Sequence, residues 1–259
     1  MHRVDLLSEL NVAEFLETLR PTHLVHAAWD VTHGVYWTSP ANFTWLASGI
    51  SLLRQFIAVG GKRAIGIGTC AEYGWTEDTY REKSSPLQPA TPYGRCKLAL
   101  FHAFEAALQM GVSTAWARLF FPYGPGDSQR RLLPALYTAL ENGRPFRMTA
   151  GKQVRDFMHI DDVGCGIAAL ARSDVRGPVN LGVGEGASLR DLALTVASAL
   201  EADPSLIRFG EIPTSAGDPP VLIADIGRLR DEVGFKPVFG WQDGVRRLAL
   251  SRRSPRAPL

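Results

Sequence analysis

Cysteine is scarce in this sequence, with only Cys70, Cys96 and Cys165 among 259 residues. The three are widely separated and odd in number, so they have neither the spacing of a metal site nor the pairing of a disulfide framework. Such thiols are typical of a reducing compartment. We therefore expect a cytoplasmic protein with no bound metal.

Long apolar runs and a strong net charge are also missing. No run approaches the roughly 20 apolar residues that cross a bilayer, and the first residues lack the apolar segment of a secretion signal. The 28 Lys and Arg residues nearly balance the 26 Asp and Glu residues. Neither a membrane nor a nucleic acid is therefore expected as a partner.

Short β-branched segments alternate with amphipathic helices over the first half of the chain. The strand-like segments 22–28, 64–68 and 112–119 are separated by helical patterns that open at Ser39-Pro40 and Thr91-Pro92. This alternation indicates βαβ units, and so an α/β fold with a doubly wound parallel sheet. Segment 22–28 is expected to be one of its buried strands.

The composition of the sequence changes at Phe121, after which Gly and Pro become frequent and the predicted loops become longer. We predict a sheet-containing core from residues 1–120. Residues 121–250 are expected to form mainly a smaller lobe, partly woven into that core. The Pro- and Arg-rich residues 251–259 are expected to be a disordered tail.

Tyr93 and Lys97 are the residues most suited to chemistry. Four residues apart on a helix, they share one face. An ammonium group about 4 Å from a phenol, at an effective dielectric near 20, contributes roughly 4 kcal/mol, enough to move the phenol pKa from about 10 toward 7. The spacing alone is common. Thr69, however, follows a strand-like segment, at the sheet edge where open α/β sheets bind ligands, and adds a hydroxyl there.

Several motifs occur in a fixed order along the chain: His26-Ala27-Ala28, Thr69 with Tyr73-Gly74, Tyr93 with Lys97, Arg118-Leu119-Phe120 with Tyr123-Gly124-Pro125-Gly126, and Arg155-Asp156-Phe157 with His159. The ordered set resembles the extended short-chain dehydrogenase/reductase family, the NAD-dependent epimerase/dehydratase group. The resemblance runs from about Val4 over nearly the whole chain.

The resemblance implies a Rossmann-like core at 1–120, a substrate-binding lobe at 121–250, and NAD or NADP as cofactor. A nucleotide-linked sugar would be the substrate and hydride transfer the chemistry, in an epimerase or a 4-ketoreductase. Tyr93 would be the acid/base, Lys97 would hold the nicotinamide ribose and lower the Tyr93 pKa, and Thr69 would orient the reacting oxygen. Family members often dimerise through the two helices that here span 40–59 and 92–110, so a homodimer is expected.

Further contacts follow from the same motifs. The cofactor would touch Ala27, Ala28, Phe120 and Pro122 besides Tyr93 and Lys97. Arg155 is the candidate for the nucleotide diphosphate, with Phe121 beside it in the substrate site. An ordinary ion pair of Arg155 with Asp156 or Asp161 is the alternative.

The sequence departs from the family at its start, because the Gly-rich loop expected after a first strand is missing. The match at Gly66-Ile67-Gly68 runs into a polar loop rather than a helix, so we do not interpret it as a phosphate loop. We expect the true N-terminal segment to be absent from this sequence. The choice between NAD and NADP is therefore not readable.

Other departures concern the reaction. Cys70 and Ala71 stand where 4,6-dehydratases carry an Asp-Glu pair, which favours epimerisation or ketoreduction over dehydration. Phe121 and Ser215 replace an Asn and an Arg found beside the diphosphate. Two alternatives stay open: a catalytically impaired relic that binds a sugar nucleotide or a protein partner, and a reductase of a non-nucleotide carbonyl compound.

Aromatic and histidine side chains near the predicted site are interpreted as structural. Trp29, Trp37 and Trp45 are expected to pack in the core or an interface. His26 and His159 are expected to be hydrogen-bonded core residues.

Overall fold

The computed structural model describes residues 2–253, and the side chains of residues 2–250. The helices are α1 (Glu9–Leu19), α2 (Ala41–Ala58), α3 (Pro92–Gln109), α4 (Leu132–Glu141), α5 (Ile160–Arg172), α6 (Leu189–Leu200) and α7 (Trp241–Arg253). The strands are β1 (His23–His26), β2 (Arg63–Thr69), β3 (Thr79–Tyr80), β4 (Ser113–Leu119), β5 (Phe121–Tyr123), β6 (Phe146–Met148), β7 (Val154–Arg155), β8 (Phe157–His159), β9 (Gly177–Leu181), β10 (Ala187–Ser188), β11 (Ile207–Phe209) and β12 (Val221–Ala224).

The main sheet has the order β1-β2-β4-β9, and every pair in it is parallel. In register, Ile65 lies between Val25 and Ala115 on its two neighbouring strands. Because the strands are parallel, their carboxyl ends meet at one edge of the sheet. That edge therefore brings together the residues that follow β1, β2 and β4.

Helices cover both faces of the sheet. Side chains of β2 alternate between them, so that Ala64 packs with α1, α2 and α3, whereas Ile65 and Ile67 pack with α5. The expected α/β fold with a parallel sheet is confirmed.

Strand β1 differs from the expectation of a buried strand. It has four residues rather than seven, and both His23 and Val25 are exposed. The reason is its position at the edge of the sheet, where it pairs with β2 on one side only.

Two glycines of β2 make room for one tryptophan of β4. A Cβ atom on Gly66 or Gly68 would overlap the indole of Trp116, which is 1% exposed. β2 ends in a short 3₁₀ turn, Cys70–Glu72. The glycines thus serve strand packing, in agreement with the interpretation that this Gly-rich match is no phosphate loop.

The second half of the chain contributes to two layers. Its β9 completes the main sheet and its α5 covers one face. A separate core forms among α4, α6 and α7. The predicted disordered tail is wrong at residues 251–253, which continue α7, and residues 254–259 lie outside the described residues.

Neither a membrane span nor a metal cluster is found within residues 2–253. No helix in this range is long and apolar enough to cross a bilayer. No group of three or more His, Cys, Asp or Glu side chains there could hold a metal ion.

Candidate active site

The structure brings Thr69, Tyr93 and Lys97 together at the carboxyl end of β2. Thr69 is the last residue of β2, while Tyr93 and Lys97 lie one turn apart at the start of α3. Thr91 caps this helix, because its side chain accepts a hydrogen bond from the Gly94 N–H. The Thr69 hydroxyl lies near enough to the Tyr93 phenol to lower the phenol pKa in part. An oxygen atom of a ligand placed between them could exchange a proton with the phenol.

Lys97 is buried, with 4% of its surface exposed. Its Nζ donates to the Ile67 carbonyl oxygen at 3.0 Å and lies 4.0 Å from the centroid of the Trp29 indole. Burial lowers the pKa of Lys97 to about 7, and the nearby charge of Glu72 opposes that shift.

Tyr93 is 7% exposed, and its pKa differs from the sequence-based expectation. Burial, followed by the Tyr36 side chain, raises the pKa of the phenol above its ordinary value, and the Thr69 hydroxyl lowers it in part. Lys97 is not among the groups that lower it. Burial drives Lys97 itself toward its neutral form, so the predicted lowering of the Tyr93 pKa by Lys97 is not found.

A segment between β1 and α2, residues 29–38, surrounds Tyr93; we call it the aromatic segment. Trp29, Tyr36 and Trp37 all meet the Tyr93 ring edge to face, at centroid distances of 6.3, 4.9 and 5.6 Å. The Trp37 carbonyl also accepts a hydrogen bond from the Tyr93 N–H at 3.1 Å. The segment therefore holds both the ring and the backbone of the candidate acid/base.

Asn42, in the first turn of α2, fixes the aromatic segment. Its Oδ1 accepts a hydrogen bond from Trp29 Nε1 at 2.9 Å, and its Nδ2 donates to the carbonyls of Tyr36 and Ser39. The side chain is 2% exposed and all its hydrogen bonds are local. One amide thus sets the position of two of the three rings.

Glu72 anchors the opposite side of the site through a network of buried groups, which we call the strand-end network. Its carboxylate pairs with Arg118 at 2.7 Å, accepts from Trp116 Nε1, and accepts from the Thr69 N–H at 2.9 Å. Glu72 and Arg118 are fully buried. The network continues through Tyr73, which receives a hydrogen bond from Arg118 and donates to Asn180 on β9. The network therefore ties Thr69, on β2, to the next two strands of the sheet, β4 and β9.

Arg155, on β7, forms an ion pair, but with neither expected partner. Its guanidinium bonds Asp218 at 2.6 Å and lies over the Phe121 ring at 5.5 Å. Asp156 is instead buried among the backbone N–H groups of residues 183, 184 and 224, and Asp161 lies 3.6 Å from His159.

The remaining predicted contacts line the same edge of the sheet. Ala27 and Ala28 follow β1, with Ala27 exposed, and Phe120 follows β4, buried against Tyr73. Pro122 and Phe121 belong to β5, whose partner β8 carries Phe157 against Phe121.

The two histidines differ. His159 is buried and its Nδ1 accepts a hydrogen bond from the Asp161 N–H, as expected of a core residue. His26 is also buried, but its Nε2 has no hydrogen-bond partner among the described residues, which corrects the expectation. Burial, with a contribution from Lys97, lowers the pKa of His26 to about 4.

Sequence reasoning missed three residues at the site. Asn42 carried no motif, because it lies inside the first turn of α2 rather than at the N-cap, where an Asn is a recognisable signal. Trp29 is expected from the sequence only to pack in the core or an interface, yet its ring faces Lys97. Glu72 belongs to none of the motifs, and nothing in the linear sequence links it to Arg118.

One further Gly-rich turn lies between β9 and α6, at residues 182–186. The N–H groups of Val183 and Gly184 already donate to Asp156, and the first N–H groups of α6 bond the carbonyls of Gln153 and Gly151. These donors are therefore not free for a phosphate.

Known proteins place this geometry in a family. The family model for the NAD dependent epimerase/dehydratase family matches residues 1–182. The chain belongs to that family. A UDP-glucose 4-epimerase of Azospirillum brasilense is 26% identical over 227 residues, which are 79% of this chain and 64% of that protein. A dTDP-glucose 4,6-dehydratase of Streptomyces griseus is 30% identical over 185 residues, covering 69% of this chain and 53% of the relative.

Solved structures agree with the family. The crystal structure of the Thermus thermophilus UDP-glucose 4-epimerase in complex with NAD has a TM-score of 0.86 at 26% identity, covering 97% of this chain and 84% of that one. The Rossmann-like fold of the family is thereby confirmed. The chain spans between half and two thirds of the length of the two curated relatives named above.

Proposed function

We propose that the protein is an NAD(P)-dependent nucleotide-sugar epimerase or 4-ketoreductase in which Tyr93 is the acid/base. The observation that carries the proposal is the placement of Thr69, at the end of β2, together with Tyr93 and Lys97, one helical turn apart at the start of α3, at the carboxyl edge of a parallel sheet. Family membership and the similarity to nucleotide-sugar enzymes support it.

The residues at this edge fit the nicotinamide end of a dinucleotide. Lys97 has an ammonium with three donors, of which one is used on the Ile67 carbonyl, and small residues, Ala27 and Ala28, follow β1. When bound, the nicotinamide would exchange a hydride with a carbon of the sugar ring. Tyr93, Lys97, Ala27, Ala28, Phe120 and Pro122 are the residues that would hold this end of the cofactor. The diphosphate of the cofactor has no such matching residues within 2–253. In that range, no strand leads through a Gly-rich turn with free N–H groups into a helix.

The chain's own residues divide the proton transfer. Thr69 orients the sugar oxygen, and Tyr93 takes the hydroxyl proton when the carbon is oxidised and returns it when the ketone is reduced. Because burial raises its pKa, the protonated phenol is favoured, which suits donation to a ketone oxygen, and the phenol must lose this proton before it can act as the base in the oxidising direction. A charged Lys97 stabilises the phenolate that forms after donation. Arg155 would bind the nucleotide diphosphate, which must then compete with Asp218.

Dehydration is disfavoured by the same geometry. Burial raises the pKa of the Cys70 thiol to about 12, and Ala71 has no titratable group. Glu72 is fully buried, and its carboxylate oxygens are already bonded to Arg118 and Trp116. The proposal therefore keeps epimerisation and ketoreduction and sets dehydration aside.

The test uses the 259-residue protein with UDP-glucose and NAD. We expect conversion to the 4-epimer or production of NADH, measured by chromatography and fluorescence. Tyr93→Phe should abolish this turnover while NAD binding, measured by calorimetry, is kept. Tyr36→Phe, which loses a hydroxyl from a neighbouring ring, is the matched control and should stay active. Turnover retained by Tyr93→Phe would refute the role of the phenol.

A second candidate, a catalytically impaired protein that binds a sugar nucleotide, is favoured by one observation. Three aromatic side chains cover Tyr93, which is only 7% exposed. This candidate predicts that UDP-glucose binds to the protein with no turnover under any NAD or NADP concentration.

We also propose a homodimer through the outward faces of α2 and α3, which pack side by side. Phe43 and Ile50, two turns apart on α2, are 66% and 43% exposed and so leave large apolar side chains on one outward face of the helix. Sedimentation equilibrium should give twice the chain mass, and Phe43→Glu with Ile50→Glu should give a monomer.

A further inference from the structure

The ammonium group of Lys97 has little to interact with apart from one ring. Its Nζ donates to the Ile67 carbonyl, and the Trp29 indole covers it at 4.0 Å. None of the ion pairs among residues 2–250 includes Lys97, and the carboxylate of Glu72, whose charge acts on Lys97, is bonded to Arg118. A buried cation without a carboxylate partner depends on whatever polar or aromatic groups it contacts.

The ring that covers Lys97 is itself held in place. Trp29 Nε1 donates to Asn42 Oδ1 at 2.9 Å, and Asn42 is 2% exposed in the first turn of α2. The indole therefore presents its face to Lys97 while its edge is bonded on the other side. Trp37, in the same segment, contacts Tyr93 instead.

We propose that Trp29 is a positioning residue for Lys97, whose ammonium group it holds at the carboxyl end of β2 through the face of its indole, with Asn42 fixing the ring. The inference rests on the proposed function, in which a charged Lys97 supports proton transfer by Tyr93. An aromatic face attracts the ammonium form and not the neutral amine. Trp29 therefore both directs the side chain and favours its charged form.

Other charged groups around Lys97 come from each neighbouring element. β1 contributes His26, whose pKa is lowered partly by Lys97, and the turn after β2 contributes Glu72, which favours the charged lysine. α3 itself contributes Tyr93. On α2 the charged residue is Arg54, which is exposed and paired with Glu9. None of these contacts replaces the indole.

The lysine content of the chain makes the proposal measurable without any turnover. There are five lysines, and the other four, at positions 62, 83, 152 and 236, are all exposed. In protein labelled with ¹³C at lysine Cε, the resonance of Lys97 should titrate near neutral pH, and Lys97→Met, which removes that resonance, assigns it. The ε-protons of Lys97 should also be shifted upfield by the ring current of the indole.

The decisive experiment weakens the aromatic face without changing its size. Replacing tryptophan by its mono-, di- and trifluoro analogues should lower the pKa of Lys97 stepwise, by about one pH unit over the series. Six tryptophans are replaced together, so Trp29→Phe serves as the control: fluorination of the remaining five should leave the Lys97 pKa unchanged. A Lys97 pKa that ignores fluorination in the unmutated protein would overturn the proposal.

A second measurement keeps the proposal testable if the fluorinated proteins fold poorly. Trp29→Leu should abolish the upfield shift of the Lys97 ε-protons, whereas Trp37→Leu, its matched control, should retain it. An upfield shift that survives in Trp29→Leu would show that another ring is responsible and would overturn the assignment.

The link to activity can be tested separately. If turnover with UDP-glucose is found, we expect its rate to fall on the alkaline side of the pH profile. In Trp29→Phe this fall should occur at lower pH, by the same amount as the change in the Lys97 pKa. A fall in rate that stays at the same pH while the Lys97 pKa is lowered would overturn the link between Trp29 and catalysis. Absence of turnover, with the fluorine series behaving as expected, would refute the proposed function and leave the positioning of Lys97 by Trp29 established.

Discussion

The strand-end network and the aromatic segment face each other across Tyr93, and different forces hold them. The network consists of an ion pair and hydrogen bonds among side chains that are all 1% exposed or less, on or beside strands β2, β4 and β9. The aromatic segment has neither helix nor strand over residues 29–38, and ring contacts plus the Asn42 amide hold it.

The difference separates a fixed side of the site from one that can be displaced. Removing one member of a buried ion pair leaves an uncompensated charge, so the network is coupled to folding of the sheet. Ring contacts between partly exposed side chains are worth less, about 0.5–1.5 kcal/mol each. Thr69 thus stands on the fixed side, and the groups that cover Tyr93 stand on the side that a ligand can move.

The largest expected effect is on the fixed side. Glu72→Leu should lower the free energy of unfolding by about 3–5 kcal/mol, because Arg118 is left buried without its partner. Urea denaturation followed by circular dichroism measures it. The double variant Glu72→Leu with Arg118→Met should recover much of the loss, since an apolar pair can replace a buried ion pair. A single variant within about 1 kcal/mol of the parent would mean that the network does not anchor the sheet.

A pH dependence is expected from His26, which lies beside Lys97. Its folded pKa of about 4 lies below the ordinary value of 6.5, so an unfolded chain takes up a proton that the folded chain does not. Stability is unaffected above pH 6.5, falls as the pH drops from 6.5 to 4, and is then lower by about 3 kcal/mol. His26→Gln should remove this part of the acid destabilisation.

The control for that measurement lies on the same strand. His23 is exposed, so the His23→Gln variant should lose as much stability at acid pH as the parent protein does. An equal loss of stability at acid pH for the parent and His26→Gln would show that His26 is not held neutral by burial.

Packing within the fixed side can be probed through the two glycines of β2. Gly68→Ala should cost about 1–3 kcal/mol, since its methyl group would overlap the Trp116 indole and the Glu72 carboxylate. Gly164→Ala on α5 is the matched control. Its methyl group would meet open space, so a gain of about 0.5–1 kcal/mol is expected from helix propensity. Thermal denaturation distinguishes the two, and a neutral Gly68→Ala would show that the indole can shift.

The smallest global effect is expected on the displaceable side. Asn42→Ala should cost about 1–2 kcal/mol through its lost hydrogen bonds. Its main signature should be local, a red shift of tryptophan emission as Trp29 and Trp37 become more exposed. Thr44→Ala, an exposed change on the same helix, should not shift the emission. A loss of stability with no red shift would mean that Asn42 supports α2 rather than the segment.

The sequence predicted the parts of the fold that depend on local pattern. Alternating strands and helices gave the parallel sheet, and the Thr91-Pro92 pair marked the start of α3 correctly. The prediction that β1 is buried was wrong, because a short apolar segment has the same sequence pattern whether its strand lies at the centre or at the edge of a sheet. Which strands neighbour it is decided by the whole topology.

The candidate site shows the same division. Thr69, Tyr93 and Lys97 could be found from spacing and motif. The pairing of Arg155 with Asp218 could not, because the two are far apart in the chain and meet only where β7 and β12 pair. The raised pKa of Tyr93 was also beyond reach, since burial depends on the surrounding aromatic segment and a pairwise estimate from Lys97 leaves it out.

The hydrogen bond from the Tyr93 N–H to the Trp37 carbonyl gives the aromatic segment a built-in reporter. In the first turn of a helix this N–H has no partner within the helix itself, so its protection from solvent deuterium depends on the segment staying closed. The hydrogen–deuterium exchange rate of this single amide therefore reports how often the aromatic segment opens. A ligand that displaces the rings would speed the exchange of this amide, and one that binds beneath closed rings would slow it.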